Sequence, residues 1–239
     1  MKRIFTAFLI IAMEFNSICT IPTYKEEKEE VKTIVIDAGH QLNANTEKEP
    51  IGPGSSTYKN KVSGGTKGTA TGKKEYELNL EVALKLQEAL ETKGYNVIMI
   101  RTSNDVNISN CERAEIANKA DADAFVRIHA NGSNNPKISG VMTICQTENN
   151  PYNSQMYDKS YTLSACILEQ VCKKTGAKEQ YVWETDSMSG INWCTVPVTI
   201  LEMGYMTNEK EDYLLSTEEY QEKIVDGIIT GLEKYFIEY

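Results

Sequence analysis

Short apolar runs rich in β-branched residues alternate along this chain with segments of helical periodicity. The predicted strands, each bounded by turn-forming residues, cover residues 33–38, 95–100, 124–129, 140–145 and 198–202. The predicted helices, with apolar residues recurring every three to four positions, cover residues 76–93, 110–120, 154–174 and 216–236. This alternation predicts an α/β fold, a single domain whose mostly parallel, twisted sheet carries helices on both faces.

The amino-acid composition and net charge of the chain limit the kinds of molecule that it can bind. The 239 residues are 41% hydrophobic, which is enough to bury a core, and the formal net charge is −9. Binding to nucleic acid depends on clustered Lys and Arg, so we expect no nucleic-acid partner. The same acidity argues against electrostatic binding to anionic membranes. We expect the domain to act as a monomer.

The first residues differ in kind from the rest. A basic start at residues 1–3 precedes a largely apolar run of ten residues at 4–13, which is the length of a signal-peptide core and too short to span a bilayer. We therefore expect residues 1–19 to be an export signal, either cleaved or retained as an anchor. Residues 20–32 form a charged spacer, and residues 33–239 form the folded domain. This predicts a protein that acts outside the cytoplasm, in the medium, cell wall or periplasm.

The six cysteines do not settle whether the protein contains a disulfide bond. No two of them have the CxxC spacing of a zinc knuckle. Cys166 and Cys172 lie six residues apart on a predicted helix, which points them to different faces. An exported protein could still hold one disulfide bond, and the spacing does not say which.

The only two histidines, His40 and His129, each follow a predicted strand. Parallel strands bring their carboxyl ends to one edge of a sheet, which is where ligands collect in such folds. Neutral imidazole is a preferred ligand of zinc. A lone histidine beside an apolar run is more often a core or turn residue, but two in the same context leave a metal site and a structural role equally open. A catalytic zinc site still needs a third protein ligand.

Two carboxylates are candidates near that edge. Glu202 ends a predicted strand, where a charge is costly unless it is paired or used. Glu75 lies at the start of a predicted helix, where the helix dipole favours an acid. Taken alone, Glu75 reads as a helix-start acid and Glu202 as either a salt-bridge partner or a functional group.

Residues 41–74 show no apolar periodicity and are rich in Gly, Ser, Thr, Asn and Lys. We predict a long loop without regular structure. Loops of this length in compact domains tend to be functional. Because it starts beside His40, it is expected to lie over the site to which His40 belongs.

Four motifs in this order resemble the zinc-dependent N-acetylmuramoyl-L-alanine amidases of the amidase_3 type. They are residues 34–40 (IVIDAGH), Glu75 four positions before Asn79-Leu80, residues 122–131 (ADAFVRIHAN) and residues 197–208 (PVTILEMGYMTN). The resemblance runs from about residue 32 to the C-terminus. It implies an enzyme that hydrolyses the amide bond between N-acetylmuramic acid and the L-alanine of the peptidoglycan stem peptide.

Carried over by position, the resemblance implies that His40, Glu75 and His129 hold one Zn²⁺ and that Glu202 is the catalytic carboxylate. Two nitrogens and one oxygen leave one position for water, whose proton Glu202 would accept and pass to the leaving amine. The resemblance also suggests substrate contacts. These are Arg101, Arg113 and Asn131.

Arg127 departs from the family pattern, which has a small serine there. We expect it to pair with a neighbouring acid rather than to contact an anionic part of the substrate. Two other functions remain open at this point: a zinc peptidase using the same metal chemistry, and a wall-binding protein with an inactive site. The presence of all four residues His40, Glu75, His129 and Glu202 argues against the second.

Overall fold

The computed structural model of the protein describes residues 31–239. The predicted export signal at 1–19 and most of the predicted spacer at 20–32 lie outside the described residues. Within residues 31–239, no helix combines the length and the apolar character needed to cross a bilayer.

The core of the domain is a sheet built by six of the described strands. They are β1 (Thr33–Ala38), β4 (Asn96–Met99), β5 (Ala124–Asn131), β6 (Val141–Cys145), β7 (Glu179–Glu184) and β8 (Val198–Tyr205). Their order across the sheet is β4-β1-β5-β8-β6-β7. Neighbours from β4 to β8 are parallel, whereas β6 is antiparallel to β8 and β7 is parallel to β6. The predicted mostly parallel sheet is confirmed.

Helices cover both faces of this sheet, as predicted. They are α1 (Glu75–Thr92), α2 (Asn110–Lys119), α3 (Tyr157–Thr175), α4 (Ser189–Asn192), α5 (Glu209–Leu215) and α6 (Glu218–Glu238). One apolar core joins α1, α3 and α6 to the sheet, and a second, smaller core joins α2 and α4 to its opposite face. The α2 helix begins with a capping box in which Ser109 and Glu112 bond each other's backbone N–H groups.

The prediction of a structureless loop at 41–74 was wrong. Strands β2 (Asn45–Pro50) and β3 (Tyr58–Val62) pair in antiparallel fashion to form a hairpin. Their side chains are mostly charged or polar, since the hairpin buries little besides Glu49 and Val62. This is why the apolar pattern of a strand is missing from the sequence.

The start of the last helix was also misplaced. Ser216 closes the short helix α5, whose acidic sequence did not suggest a helix, and α6 begins at Glu218 after Thr217. The predicted helix at 216–236 therefore began two residues too early. Strand β7, on the sheet edge, was not predicted because its alternating residues are mostly polar or exposed.

The described cysteines are all free thiols. Cys145 and Cys194 are buried, and burial raises the pKa of each thiol to about 12. These two side chains therefore act as small apolar core residues. Cys19 lies outside the described residues.

Candidate active site

Three functional side chains come from the carboxyl ends of neighbouring parallel strands. His40 follows β1, His129 lies near the end of β5, and Glu202 lies in β8 as the register partner of His129. Glu75 is the first residue of α1, and its side chain is turned inward, 5% exposed. The sheet edge thus brings together the four residues that the sequence singled out.

The two imidazoles converge on one carboxylate oxygen. The distance from His40 Nε2 to Glu75 Oε1 is 3.1 Å, and that from His129 Nδ1 to the same oxygen is also 3.1 Å. All three ligand atoms lie within 4.8 Å of one another. Electron-pair donors held this close need positive charge between them, either a proton or a cation. Two nitrogens and one oxygen form a donor set that suits zinc.

The protonation states fit this role. Burial lowers the pKa of His129 to about 4, so its imidazole is neutral at pH 7. Although burial opposes ionisation of Glu75, the two imidazoles hold the pKa of Glu75 well below its ordinary value. Burial also acts to lower the pKa of His40, but the hydrogen bond and the negative charge of Glu75, together with the hydrogen bond to Ser63, raise that pKa. A cation bound here would compete with a proton for the same electron pairs.

Surrounding groups fix the orientation of these side chains. His40 Nδ1 donates to the carbonyl of Ser63 at 2.9 Å, which turns Nε2 toward Glu75. The backbone N–H groups of Thr66 and Ala130 donate to Glu75 at 2.8 and 3.2 Å. Such outer contacts commonly orient metal ligands. The sequence analysis did not identify Ser63 and Thr66, because they act through backbone groups that every residue type can supply.

The close approach of the His129 ring explains why a glycine, Gly39, precedes His40. A Cβ at this position would overlap the imidazole ring of His129. His129 Nε2 is buried without a hydrogen-bond partner among the described residues. The edge of the ring that carries Nε2 thus lies against Gly39, and Nδ1 faces Glu75.

Glu202 stands beside this group with an unused carboxylate oxygen. Its Oε2 is buried and has no hydrogen-bond partner within the described part of the chain. Burial, together with the negative charge of Glu75, raises the pKa of Glu202 to about 8. A carboxyl that can hold or release a proton near neutral pH is suited to proton transfer.

The expected substrate contacts at Arg101 and Arg113 are not supported, because both guanidinium groups are buried and neither lines the site cavity. Arg101 donates to the carbonyls of Ala38, Gly39 and Tyr76. Arg113 donates to Asp37 at 2.6 Å and to the carbonyls of Ala38 and His40. The family resemblance suggested a contact with substrate, whereas these donors are taken up by backbone carbonyls and by Asp37.

Both arginines therefore support the turn that presents His40. His40 has a φ of 61°, a left-handed conformation that non-glycine residues rarely adopt. Such a conformation costs of order 1–3 kcal/mol and persists only where surrounding contacts enforce it. The bonds from Arg101 and Arg113 to the backbone of residues 38–40 provide that enforcement.

The structure places the last expected substrate contact, Asn131, at the end of β5, where its side chain accepts from the Gly132 N–H and donates to Met142 Sδ. Arg127 pairs with Asp37, as the sequence led us to expect, with 2.9 Å between Nε and Oδ2. It also lies on the wall of the site cavity.

A cavity of about 570 Å³ opens beside His40, His129 and Glu202. It runs along the α2 face of the sheet, between the β2–β3 hairpin and residues 188–190. The expectation that the segment after His40 lies over the site is confirmed. A bound substrate could reach the two histidines and Glu202 from this space.

Comparison with known proteins agrees with this site. The sequence matches the Amidase_3 family, described as N-acetylmuramoyl-L-alanine amidase, over residues 34–234. It is 30% identical over 209 residues to the uncharacterized protein YqiI of Bacillus subtilis, covering 87% of this chain and 86% of that protein. It is 26% identical to the germination-specific N-acetylmuramoyl-L-alanine amidase of the same bacterium, covering 73% of this chain and 77% of that protein.

Solved structures show the same fold. The amidase Ami1 from Mycobacterium smegmatis has a TM-score of 0.79 at 24% identity, covering 87% of this chain and 98% of that one. The CwlD amidase from Clostridioides difficile, solved in complex with the GerS lipoprotein, has a TM-score of 0.70 at 26% identity, covering 87% and 100%. The family match spans nearly all of the described domain and includes the four site residues, so the chain belongs to the Amidase_3 family of N-acetylmuramoyl-L-alanine amidases.

Proposed function

We propose that this amidase works with one Zn²⁺ held by His40, Glu75 and His129, and with Glu202 as the general base and acid. The bond cleaved joins the lactyl group of N-acetylmuramic acid to the L-alanine of the stem peptide. The observation that carries the proposal is the convergence of three ligand atoms within 4.8 Å beside the unpartnered carboxylate of Glu202.

The side chains divide the chemistry between them. When bound, zinc would polarise the amide carbonyl and lower the pKa of a water molecule. Glu202 accepts the proton of the attacking water and then gives it to the leaving nitrogen. One water is consumed, and the products are a lactyl carboxylate and the free amino group of L-alanine. Glu75 and the histidines keep their positions throughout, because backbone contacts fix them.

We further propose that the enzyme is exported and meets peptidoglycan outside the cytoplasm as a monomer. The apolar run at 4–13 after a basic start supports residues 1–19 as an export signal, and residues 20–32 as a spacer before the domain. Peptidoglycan itself lies outside the cytoplasm, which agrees with an exported enzyme. Mass analysis of the protein recovered from the culture medium and cell envelope would locate the mature N-terminus.

The decisive experiment is digestion of purified peptidoglycan with mass analysis of the products. We expect new L-alanine amino termini without new reducing sugar ends. Cleavage at peptide bonds within the stem would instead support a zinc peptidase. No products at all, with zinc bound, would support a wall-binding protein.

Two variants assign the roles. Glu202→Ala should keep its fold and about one zinc per chain while the rate falls by roughly 10²–10⁴-fold, the usual contribution of general acid–base catalysis. His129→Ala should lose most of its zinc. Near wild-type hydrolysis by Glu202→Ala would refute its role as base, and unchanged zinc in His129→Ala would refute the metal site.

A further inference from the structure

The site cavity is basic although the chain is acidic. Three of the side chains that line it are cationic, Lys48, Lys59 and Arg127, whereas Glu202 is the acid among the lining residues. The chain as a whole has a net charge of −9. Positive charge gathered in one cavity of an acidic protein favours an anionic ligand there.

Arg127 is a buried charge with donors to spare. Its Nε donates to Asp37 and its Nη2 to Asn110, while Nη1 has no acceptor among residues 31–239. Asp37 also pairs with Arg113, so two guanidinium groups share one carboxylate and one positive charge stays uncompensated. The side chain of Arg127 is only 3% exposed. A buried guanidinium with free donors is a strong partner for a carboxylate.

Gly190, on the facing wall, makes room for this group. A Cβ there would overlap the guanidinium of Arg127, so any other residue would displace it. Arg127 is a long cation at a strand position where the family pattern has a small serine, and Gly190 leaves space for it. Both residues line the cavity.

The wall that carries Lys59 is fixed in place. Lys59 Nζ donates to the carbonyl of Ser187 at 2.6 Å, across the cavity from its own strand β3. The buried carboxylate of Glu49 accepts from Ser189 Oγ at 3.0 Å, and Trp193 Nε1 donates to the carbonyl of Pro50 at 3.0 Å. Partial burial of Lys59 lowers the pKa of its ammonium group. The cavity is therefore preformed.

Spacing along β5 sets the position of the anion relative to the bond cleaved. Arg127 and His129 face the same cavity two residues apart, about 6.6 Å along a strand. The second residue of the stem peptide is linked through its γ-carboxyl, so its α-carboxyl is left as a free acid or an amide. In an extended peptide this group lies two residues from the scissile carbonyl, or about 7 Å.

We propose that Arg127 and Lys59 form an anion subsite that binds the free α-carboxylate of the second stem residue. The amidase would thereby prefer stems that carry the acid over stems in which this group is amidated. This inference rests on the proposed function, since it presumes cleavage at L-alanine next to the two histidines.

The test compares two synthetic muropeptides that differ only in this group, one with D-glutamate and one with D-isoglutamine at the second position. For the zinc-loaded wild-type enzyme we expect kcat/KM to be at least about tenfold higher for the acid, the size expected of a charge-assisted hydrogen bond. Equal values for the two substrates would overturn the subsite while leaving the amidase intact. Hydrolysis of neither substrate would overturn the proposed function instead.

Variants then assign the preference to these residues. Lys59→Met and Arg127→Met should each bring the ratio of kcat/KM values for acid and amide toward one. Lys61→Met is the matched control, because Lys61 lies on the same strand but pairs with Glu47 away from the cavity, and it should keep the wild-type ratio. Since Arg127→Met also removes a partner of buried Asp37, Lys59→Met carries the assignment if the other variant does not fold. A full preference retained in Lys59→Met would refute its part in the subsite.

Discussion

Two buried polar clusters share strand β5 and differ in the charges that they contain. The ionic cluster consists of Asp37, Arg113 and Arg127, and both oxygens of Asp37 have a guanidinium partner. The site cluster consists of His40, Glu75 and His129, where three electron-pair donors face one another.

This difference separates a structural role from a functional one. The carboxylate of Asp37 has a guanidinium partner at each oxygen, and removing one partner of such a buried ion pair is costly. A buried cluster of donors that lacks a positive partner is costly until a ligand supplies it. Asp37 on β1 thus ties down Arg113 and Arg127, while the site cluster has the donor set that the proposed Zn²⁺ would need. The contrast makes different predictions for the stability of each cluster.

The largest effect is expected from breaking the ionic cluster. Asp37→Asn leaves two buried guanidinium groups without a charge partner, so we expect the free energy of unfolding to fall by about 3–5 kcal/mol. Denaturant titration of the zinc-free protein measures this. Asp123→Asn, at a part-exposed pair with Lys32, is the control and should cost less than about 1 kcal/mol. If Glu75→Gln destabilised the zinc-free protein as much as Asp37→Asn, the distinction between the clusters would be wrong.

The next effect is the response of the site cluster to zinc. A ligand that binds only the folded state adds about 2.7 kcal/mol at a concentration one hundred times its Kd. We expect this gain in the wild-type enzyme, reversed by a chelator, and little gain in His129→Ala. Thermal melts at rising zinc concentration show it. An equal shift in both proteins would mean that zinc binds elsewhere.

A smaller effect tests the link between a buried arginine and the site. Arg101→Lys keeps the charge but loses the planar fork that reaches the carbonyls of Ala38, Gly39 and Tyr76. Because the left-handed turn at His40 depends on those bonds, we expect zinc affinity to fall by about 10–100-fold, as for other outer contacts of metal ligands. Competition with a chelator of known affinity measures it. Unchanged affinity would show that the turn holds without Arg101.

The sequence predicts some parts of this site and not others, for physical reasons. His40, His129 and Glu202 follow apolar runs, and parallel strands necessarily bring such positions to one edge. Glu75 is different, because an acid at a helix start is common, and the family resemblance was needed to identify it. The hairpin at 45–62 was not predicted because its strands are mostly charged or polar and show no apolar alternation. Some of these residues pair across the hairpin, as Lys61 does with Glu47. Burial of Arg101 and Arg113 cannot be read from spacing, so their roles were misassigned.

The smallest effect is the pH dependence of the ionic cluster. Burial opposes ionisation of Asp37, but Arg113 and Arg127 hold the pKa of Asp37 well below its ordinary value of about 4. A lowered pKa in the folded state contributes stability that is complete above the unfolded value and is lost as the pH falls below it. The difference in unfolding free energy between wild type and Asp37→Asn should therefore stay constant from pH 7 to 5. Below pH 4 it should shrink by at most about 1.4 kcal/mol per pH unit. Denaturant titrations at each pH measure this difference, and a difference that grew with acidity would mean that Asp37 is not ionised in the folded protein.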